Sequence, residues 1–369
     1  MTWESWIESQ LDDIRAAGQW RRTRSFDAHG PEGRLEGEDV VSFASNDYLG
    51  LATHPSVVAA ASAAAERWGT GSTASRLIVG TRPGHCELEE EIADWKATPA
   101  AVVFSSGYSA NLGVLGALGG PHVTVCSDEL NHASIIDGCR LSRSAVAVYR
   151  HGDVDHLEKL LVAAPGRRVV VTDTVFSMDG DVAPLPALRE VCARHDALLV
   201  IDEAHAVLGP DLPDDGDGPV TVRVGTLSKA LGSVGGWVAS STPMIDLLVN
   251  RARSFIFTTA LTPPDTAAAL AALRIVRSAE GDALVARLRE VTDRVRDGHP
   301  SPIVPILLGD EDRAVEAADA LLELGLLVPA IRPPTVPPGT SRLRIAMSAA
   351  HSDDMVERLL DGLGRIGVR

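Results

Sequence analysis

One lysine, Lys229, lies in the segment "VGTLSKALGSVGG" at residues 224–236, where its neighbours are small or apolar. A lysine at a protein surface usually has polar neighbours. An ammonium group in an apolar site loses solvation, so its pKa falls and the free amine becomes available as a base or nucleophile. The segment alone also fits a surface lysine that follows a strand, so other motifs must decide between these interpretations.

Further polar residues follow short apolar segments elsewhere in the chain. His132 follows "VTVCSD", Asp173 and Ser177 follow "RVVV", and Asp202 and His205 stand in "DEAHA" after "LLVI". Because catalytic groups of an α/β sheet lie at the carboxyl ends of its strands, we expect these side chains to meet. A single histidine is more often structural, whereas the spacing of Asp202 and His205 at a strand end favours function.

A run of small residues, "SSGYSANLG", follows the apolar segment "AVVF". Small residues at a junction between a strand and a helix expose the backbone N–H groups of the helix N-terminus, which form a site for a phosphate. A simple tight turn is the alternative interpretation of this motif.

The apolar segments also predict the fold. They are rich in valine, alternate with helical stretches, and comprise "AVVF", "VTVCSD", "AVAVY", "RVVVTDT", "ALLVIDEA", "VTVRVGT" and "GGWVASS". Strands that are apolar on both faces are typical of a mostly parallel sheet covered by helices on both sides. We therefore predict an α/β fold with a mostly parallel, seven-stranded type of sheet.

We predict three segments along the chain. Residues 1–45 form a helix over 1–24 and short strands, residues 46–265 form the large α/β domain, and residues 266–369 form a small α+β domain.

Together, the strand ends offer an amine, a phosphate site and a carboxylate, a combination that suggests pyridoxal 5'-phosphate. The phosphate would bind at "SSGY", and Asp202 would pair with the pyridinium nitrogen and keep the ring an electron sink. Lys229 would form the Schiff base. With these partners, the interpretation of Lys229 as an ordinary surface lysine is disfavoured.

The order of several motifs resembles the α-oxoamine synthase family of fold-type I pyridoxal-phosphate enzymes, from about residue 3 to the C-terminus. The motifs are "SNDYLGL", "SSGYSAN", "NHAS", "FSMDGD", "DEAHA", "TLSKALG" and "RLRIAMSAAH". Members of this family condense an amino acid with an acyl thioester and release CO2. The resemblance implies a large domain that binds pyridoxal phosphate and a homodimer.

The segment "FASNDYLGLATHP" most resembles the branch that joins L-alanine to a pimeloyl thioester in biotin biosynthesis. The thioester would be carried by coenzyme A or by acyl carrier protein, and the sequence does not choose between them. A sister branch that uses glycine and another acyl-CoA is the alternative.

The resemblance implies the cofactor contacts. Lys229 would hold the cofactor, Asp202 its ring nitrogen and His205 its phenolic oxygen, with support from Ser177, while His132 would stack on the ring. The residues expected around the phosphate are Ser106, Gly107, Tyr108 and Thr226, together with Thr258, which would reach the phosphate of the partner subunit.

The resemblance also implies the substrate contacts. Arg342 and Arg344 share one face of the predicted strand "SRLRIAMS", and one of them should grip the amino-acid carboxylate through two hydrogen bonds. Spacing cannot choose between them, and the family pattern favours Arg344. Arg21, at the end of the predicted first helix, resembles an arginine that meets the acyl substrate, although a solvated helix end also fits. Asn46 should lie near the same mouth.

One departure from the family pattern concerns Asp173, which stands where relatives often carry glutamate. Its shorter side chain leaves its role open.

Composition excludes several other classes of protein. The 369 residues are 45% hydrophobic and 23% charged, and the net charge of −16 argues against a nucleic-acid-binding surface. The four cysteines form no CxxC pair, so we expect reduced, mostly buried thiols and no metal site. No apolar stretch approaches the ~20 residues that span a bilayer, and the first residues lack the pattern of a signal peptide. We therefore expect no membrane association and a cytoplasmic location.

Overall fold

The computed structural model describes residues 1–212 and 218–368. Within those residues, the helices in chain order are α1 (Trp3–Ala16), α2 (Pro55–Trp68), α3 (Pro83–Trp95), α4 (Gly107–Leu118), α5 (Ala133–Leu141), α6 (Val154–Ala163), α7 (Leu185–Arg194), α8 (Thr242–Arg251), α9 (Arg253–Ile256), α10 (Pro263–Val276), α11 (Ala279–Val295), α12 (Glu311–Glu323) and α13 (Asp353–Arg365). A short π-helical turn covers Arg76–Gly80. In the part of the chain described, no helix is both long enough and apolar enough to span a membrane.

The strands in chain order are β1 (Phe26–His29), β2 (Glu32–Leu35), β3 (Glu38–Ser42), β4 (Ala100–Phe104), β5 (Val123–Asp128), β6 (Ala145–Tyr149), β7 (Arg167–Asp173), β8 (Ala197–Asp202), β9 (Thr221–Thr226), β10 (Gly236–Ser240), β11 (Ile303–Gly309), β12 (Leu326–Leu327), β13 (Ala330–Ile331) and β14 (Ser341–Ala346).

Contacts between residues divide the chain into two compact units. The larger unit contains residues 45–304 and 346–356, and the smaller unit contains residues 1–44, 305–345 and the described residues from 357 onward. The smaller unit thus joins N-terminal and C-terminal residues, unlike the predicted segments 1–45 and 266–369. Residues 266–304 belong to the larger unit because α10 packs against α2 and α3.

A seven-stranded sheet forms the centre of the larger unit, in the order β4–β10–β9–β8–β7–β5–β6. The five strands from β9 to β6 pair in parallel, whereas β10 runs antiparallel to both β4 and β9. Each of the seven valine-rich segments in the sequence supplies one of these strands. The predicted α/β fold with a mostly parallel sheet is therefore confirmed.

The central strands of the sheet are buried on both faces, as their sequence predicts, whereas the edge strand β6 is largely exposed. In β7, Val169 and Val171 belong to one hydrophobic cluster, whereas Val170, which points the other way, belongs to a second cluster. Because side chains alternate along a strand, uninterrupted valines place apolar groups on both faces. Helix α4 packs in the first cluster and helix α7 in the second.

The smaller unit contains a sheet in the order β1–β2–β3–β12. A second small sheet has the order β11–β14–β13, with β13 antiparallel to β14. The predicted first helix is too long, because α1 ends at Ala16 rather than near residue 24. The chain reverses at Gly18, which has a φ of 64°, and Gln19 N donates to Ile14 O at 2.9 Å, a common way to end a helix.

The cysteines are reduced, as predicted, and three of the four are buried. Burial raises the pKa of the Cys126 and Cys139 thiols to about 11 and that of Cys192 to about 12. These groups are neutral packing residues at physiological pH, while Cys86 is exposed.

Candidate active site

Lys229 stands on the loop that joins β9 to β10. The loop is compact, because Leu227 N donates to Gly235 O at 3.0 Å and Gly232 N donates to Lys229 O at 2.9 Å. Leu227 and Leu231 on either side of the lysine are buried. The backbone of Lys229 is thus fixed by apolar anchors, while its side chain is half-buried and its Nζ lies 2.7 Å from Nε2 of His205.

His205 is itself buried and has polar contacts on both sides of its ring. Its Nδ1 lies 2.6 Å from the hydroxyl oxygen of Tyr48, a fully buried side chain. The same hydroxyl donates to Oδ1 of Asn46 at 3.0 Å. The predicted site residues Asn46, His205 and Lys229 therefore lie in one chain of hydrogen bonds that runs through Tyr48.

Asp202, the last residue of β8, is 6% exposed, so its carboxylate needs hydrogen-bond donors. Asn111 in α4 donates through Nδ2 to Asp202 Oδ2 at 2.6 Å, and Ala204 N donates to Oδ1 at 2.9 Å. The second hydrogen of Asn111 Nδ2 goes to Ser134 Oγ at 2.9 Å. Asn111 therefore connects the end of β8 to the start of α5.

His132 caps that start, since its Nδ1 accepts from Ser134 N at 3.2 Å and lies 2.8 Å from Ser134 Oγ. Burial lowers the pKa of His132, the charge of Asp202 opposes the change, and Lys229 reinforces it. The imidazole is therefore neutral near pH 7, with Nδ1 as an acceptor. A neutral ring is suited to stacking on a planar aromatic group.

Asp173 at the end of β7 is also buried, and its Oδ2 accepts from His132 N at 2.7 Å. Burial raises the pKa of Asp173 well above its ordinary value, and the charge of Asp202 raises it further. The environment of Asp173 therefore favours its protonated form. The sequence left the role of Asp173 open, and the structure shows that its carboxyl group holds the backbone of His132 in place.

The residue after Asp202, Glu203, lies between two cations. Its carboxylate oxygens lie 2.7 Å from Lys96 Nζ and 2.7 Å from Arg223. Burial alone would raise the pKa of Glu203, but the charges of Lys96 and Arg223 outweigh burial and lower it. The turn after β8 is therefore anchored by a buried, ionised group.

Three of the predicted phosphate residues, Ser106, Gly107 and Thr226, meet at the N-terminus of α4. Ser106 is the N-cap, and its Oγ accepts from Ser109 N at 3.0 Å. A Cβ atom at Gly107 would lie 3.2 Å from Cβ of Thr226, so the ends of β4 and β9 approach closely here. A Cβ at Gly236 would lie 2.4 Å from Ser106 O, so only glycine fits at that position. Backbone N–H groups and hydroxyls at a helix N-terminus are suited to a phosphate.

Tyr108 lies beside His132, with ring centroids 6.3 Å apart, and its hydroxyl donates to Asp137. Ser177 follows β7 in a turn and is half-buried. Thr258 lies just after α9, is half-buried, and neighbours the exposed Phe257.

The remaining predicted residues belong to the smaller unit. Arg342 and Arg344 stand in β14, where both are buried, and Arg342 Nε donates to Thr340 O at 3.0 Å. Arg21 is exposed and lies beyond α1, so its predicted place at the end of the first helix is wrong.

The residues of the larger unit fit pyridoxal phosphate. They offer an amine at Lys229, a buried carboxylate at Asp202, a neutral imidazole at His132 and a helix N-terminus with hydroxyls at Ser106 and Thr226. In residues 1–212 and 218–368, no group of three His, Cys, Asp or Glu side chains is arranged to hold a metal ion.

The family model of class I and II aminotransferases matches residues 38–363. The chain belongs to this family. It is 49% identical to an 8-amino-7-oxononanoate synthase from Anaeromyxobacter dehalogenans over 98% of this chain and 95% of that protein. Other relatives with the same name are 44–49% identical.

Solved structures extend the comparison. The serine palmitoyltransferase of Sphingomonas wittichii has a TM-score of 0.90 and 32% identity, over 100% of this chain and 98% of the other. A structure of SPT with a PLP internal aldimine has a TM-score of 0.92 and 30% identity over the same shares. The predicted resemblance to the α-oxoamine synthases and the prediction of a pyridoxal-phosphate-dependent enzyme of the acyltransferase type are confirmed.

Sequence reasoning missed Tyr48, Asn111 and Ser134 as parts of this network. All three stand within the quoted motifs "SNDYLGL", "SSGYSAN" and "NHAS", next to residues that were chosen. Each is a polar residue in a motif that also contains a predicted site residue. That proximity in sequence was the one indication that they belong to the site.

Proposed function

We propose that the protein is an 8-amino-7-oxononanoate synthase. It would condense L-alanine with a pimeloyl thioester to give 8-amino-7-oxononanoate, CO2 and the free thiol of coenzyme A or acyl carrier protein, in biotin biosynthesis. The observation that carries this proposal is the similarity, over almost the whole chain, to relatives of that name.

The residues around Lys229 would hold pyridoxal phosphate. When bound, the cofactor supplies an electron sink for the negative charge that forms at the amino-acid Cα. Asp202 would hold a proton at the ring nitrogen through its carboxylate, which Asn111 orients at 2.6 Å. His132 would cover one ring face, and Ser106, Gly107, Tyr108 and Thr226 would surround the phosphate.

Lys229 would also move the substrate proton. Its Nζ would remove the Cα proton of L-alanine and later return one. His205 lies 2.7 Å away and would orient that amine and the phenolic oxygen of the cofactor, with support for that oxygen from Ser177.

The substrate contacts remain proposals drawn from the family pattern. Arg344 would bind the amino-acid carboxylate, with Arg342 as the alternative, and both are buried in β14. Arg21 and Asn46 would meet the acyl substrate.

We also propose a homodimer in which Thr258 reaches the partner subunit's phosphate. Large apolar side chains are exposed near this residue and on the Arg76–Gly80 turn, namely Leu77, Ile78, Val79 and Phe257 at 50%, 75%, 64% and 68% exposure. Exposed apolar surface of this kind is typical of a protein interface.

The first test concerns the cofactor. Purified protein supplied with pyridoxal phosphate should be yellow, and borohydride should bleach it and link the cofactor to the peptide that contains Lys229. Mass spectrometry of that peptide locates the link. A colourless protein that takes up no cofactor would contradict the proposal.

We predict that Lys229→Ala binds pyridoxal phosphate weakly and releases no thiol from alanine and pimeloyl-CoA. The reason is that Nζ is both the attachment point and the base. Lys159→Ala, at an exposed position of helix α6, is the matched control and should retain wild-type turnover. Near-normal turnover of Lys229→Ala would reject this assignment.

The substrate is tested with alanine, glycine and serine, each combined with pimeloyl, acetyl, succinyl and palmitoyl thioesters. Released thiol and mass spectrometry of the product report the reaction. We expect the highest kcat/KM for alanine with a pimeloyl thioester. Serine with palmitoyl-CoA is included because the solved serine palmitoyltransferase shares the whole fold. A preference for glycine with another acyl-CoA would establish the sister reaction instead.

A further inference from the structure

Tyr48 lies at the middle of a chain of hydrogen bonds. Its hydroxyl contacts Asn46 Oδ1 at 3.0 Å on one side and His205 Nδ1 at 2.6 Å on the other. The far side of the same imidazole, Nε2, lies 2.7 Å from Lys229 Nζ. Tyr48 is completely buried and His205 is 4% exposed, so bulk water does not replace these partners.

One arrangement of protons satisfies every contact in this chain. A tyrosine hydroxyl has one hydrogen, and here it goes to the carbonyl oxygen of Asn46. In the arrangement consistent with that bond, the hydroxyl oxygen accepts from His205 and the imidazole proton lies on Nδ1. In this tautomer Nε2 is an acceptor and receives an N–H from Lys229.

The proposed function requires the opposite tautomer at another moment. An anionic phenolic oxygen facing Nε2 is itself an acceptor, so Nε2 must then carry a proton. A neutral imidazole carries only one ring proton, so Nδ1 must lose its proton at the same time. Nδ1 is then an acceptor and needs a hydrogen-bond donor. A hydroxyl can serve both needs, because rotation about one C–O bond turns it from an acceptor into a donor.

We propose that Tyr48 is a positioning residue that lets His205 exchange tautomers when the cofactor binds. Without the cofactor, the Tyr48 hydrogen points to Asn46, and with it, the hydrogen turns to Nδ1 of His205. The exchange is balanced, since Nδ1 releases one proton to water and Nε2 takes one up from water while the site is open for the cofactor to enter, and the imidazole stays neutral. This inference rests on the proposed function.

The backbone around Tyr48 is fixed, which keeps its hydroxyl at a constant distance from His205. Ala349 N donates to Tyr48 O at 2.8 Å, and Ser348 Oγ donates to Asp47 O at 2.6 Å. The carboxylate of Asp47 accepts from Leu51 N at 2.9 Å. The ring therefore stays in place while only the hydroxyl hydrogen moves.

The test is NMR of the full-length protein with 15N-labelled histidine rings, recorded without and with pyridoxal phosphate. His205 is assigned by comparison with His205→Gln. We expect the proton on Nδ1 without the cofactor and on Nε2 with it. A ring that keeps one tautomer in both states overturns the proposal, and this measurement on the natural sequence needs no folded variant of Tyr48.

Tyr48→Phe tests the role of the hydroxyl. We expect no exchange of the His205 tautomer, and affinity for pyridoxal phosphate that is lower by about fivefold, the effect of one neutral hydrogen bond. Tyr149→Phe is the matched control, because Tyr149, the last residue of β6, is equally buried but belongs to a hydrophobic cluster. A Tyr48→Phe protein in which His205 still exchanges overturns the proposal.

The two hypotheses fail in different ways. If the natural protein binds no pyridoxal phosphate and releases no thiol, the proposed function is rejected, and this inference with it. If the natural protein binds the cofactor and turns over but His205 does not change, only the inference about Tyr48 is rejected.

Discussion

At the residue scale, buried hydrogen bonds between side chains connect the groups that could do chemistry. Asn111 uses both hydrogens of Nδ2, one for Asp202 and one for Ser134, which in turn contacts His132. A carboxylate and an imidazole on different elements are thus held in one arrangement by a single amide. Such networks are stable only when each member has its partners.

We predict that Asn111→Leu, a change of similar volume, weakens both folding and cofactor binding. Loss of a donor to a buried carboxylate should reduce the free energy of unfolding by about 2–3 kcal/mol. Urea unfolding and titration with pyridoxal phosphate measure the two effects. Asn250→Leu, at an exposed position, is the control. An Asn111→Leu protein as stable as the natural one would show that Asp202 does not depend on this contact.

The site residues that could be predicted from the sequence are those whose residue type and position at the end of a strand indicate a functional role. Lys229, Asp202 and His205 each follow a valine-rich strand, and polar groups at strand ends converge. Tyr48 could not be found this way, because its contact with His205 joins positions 157 residues apart. Nothing in the local sequence of either residue specifies that contact, which depends on how the larger unit packs.

At the element scale, one histidine joins two loops that leave the sheet. His151, just after β6, lies 3.0 Å from Asp128 at the end of β5 and 2.7 Å from Asp181 in the loop after β7. The first loop leads to His132 and the second contains Ser177. Hydrogen bonds to these two carboxylates raise the pKa of His151 to about 10 despite partial burial. The His151 imidazolium is therefore positively charged and joins the two loops through Asp128 and Asp181, an arrangement called the His151 clamp below.

We predict that the His151 clamp makes stability depend on pH. Because the pKa of His151 is higher in the folded state than its ordinary value of 6.5, its contribution is complete below about pH 6.5 and is lost as pH rises towards 10. His151→Gln should lower the unfolding free energy by about 1–2 kcal/mol at pH 6, a value reduced for solvent screening.

Urea unfolding of both proteins between pH 6 and pH 10 measures the effect. The difference between them should shrink as pH rises. A difference that stays constant across this range would contradict a charged His151. His29→Gln is the control, because His29 is an exposed histidine at the end of β1.

The strands of the large sheet were predictable because each is a short apolar run that contains valine and is bounded by polar or glycine residues. The antiparallel direction of β10 could not be predicted, because an apolar run has the same pattern in a parallel and in an antiparallel strand. The first helix was overextended because its polar face continues into "RRTR", whereas the chain leaves the helix at Gly18.

At the scale of the whole molecule, the chain forms two compact units of which the smaller is built from both ends of the sequence. Sequence order alone suggested separate terminal segments, because pairing such as that of β12 with β3 joins residues nearly 300 positions apart (Leu326 with Val41). The proposed homodimer belongs to this scale as well, since Thr258 would serve the partner's site.

We predict that two inactive variants restore activity when mixed. Lys229→Ala lacks the amine, and Thr258→Val lacks the hydroxyl that would reach the partner subunit's phosphate. After unfolding and refolding together in equal amounts, about a quarter of the sites should be intact, since half of the dimers are mixed and each has one complete site. Thiol release after mixing measures this. No gain over the separate variants would place Thr258 outside the partner's site.

Strand β10 contributes no side chain to the proposed chemistry, yet its first residue governs the distance between the two loops that would receive the phosphate. Gly236 pairs with Phe104 on one side and with Thr226 on the other, at the points where both loops begin. One added methyl group would push against the Ser106 carbonyl and separate them. Substitution should therefore be poorly tolerated at Gly236, although this position has no functional group, and even Gly236→Ala should weaken binding of the cofactor.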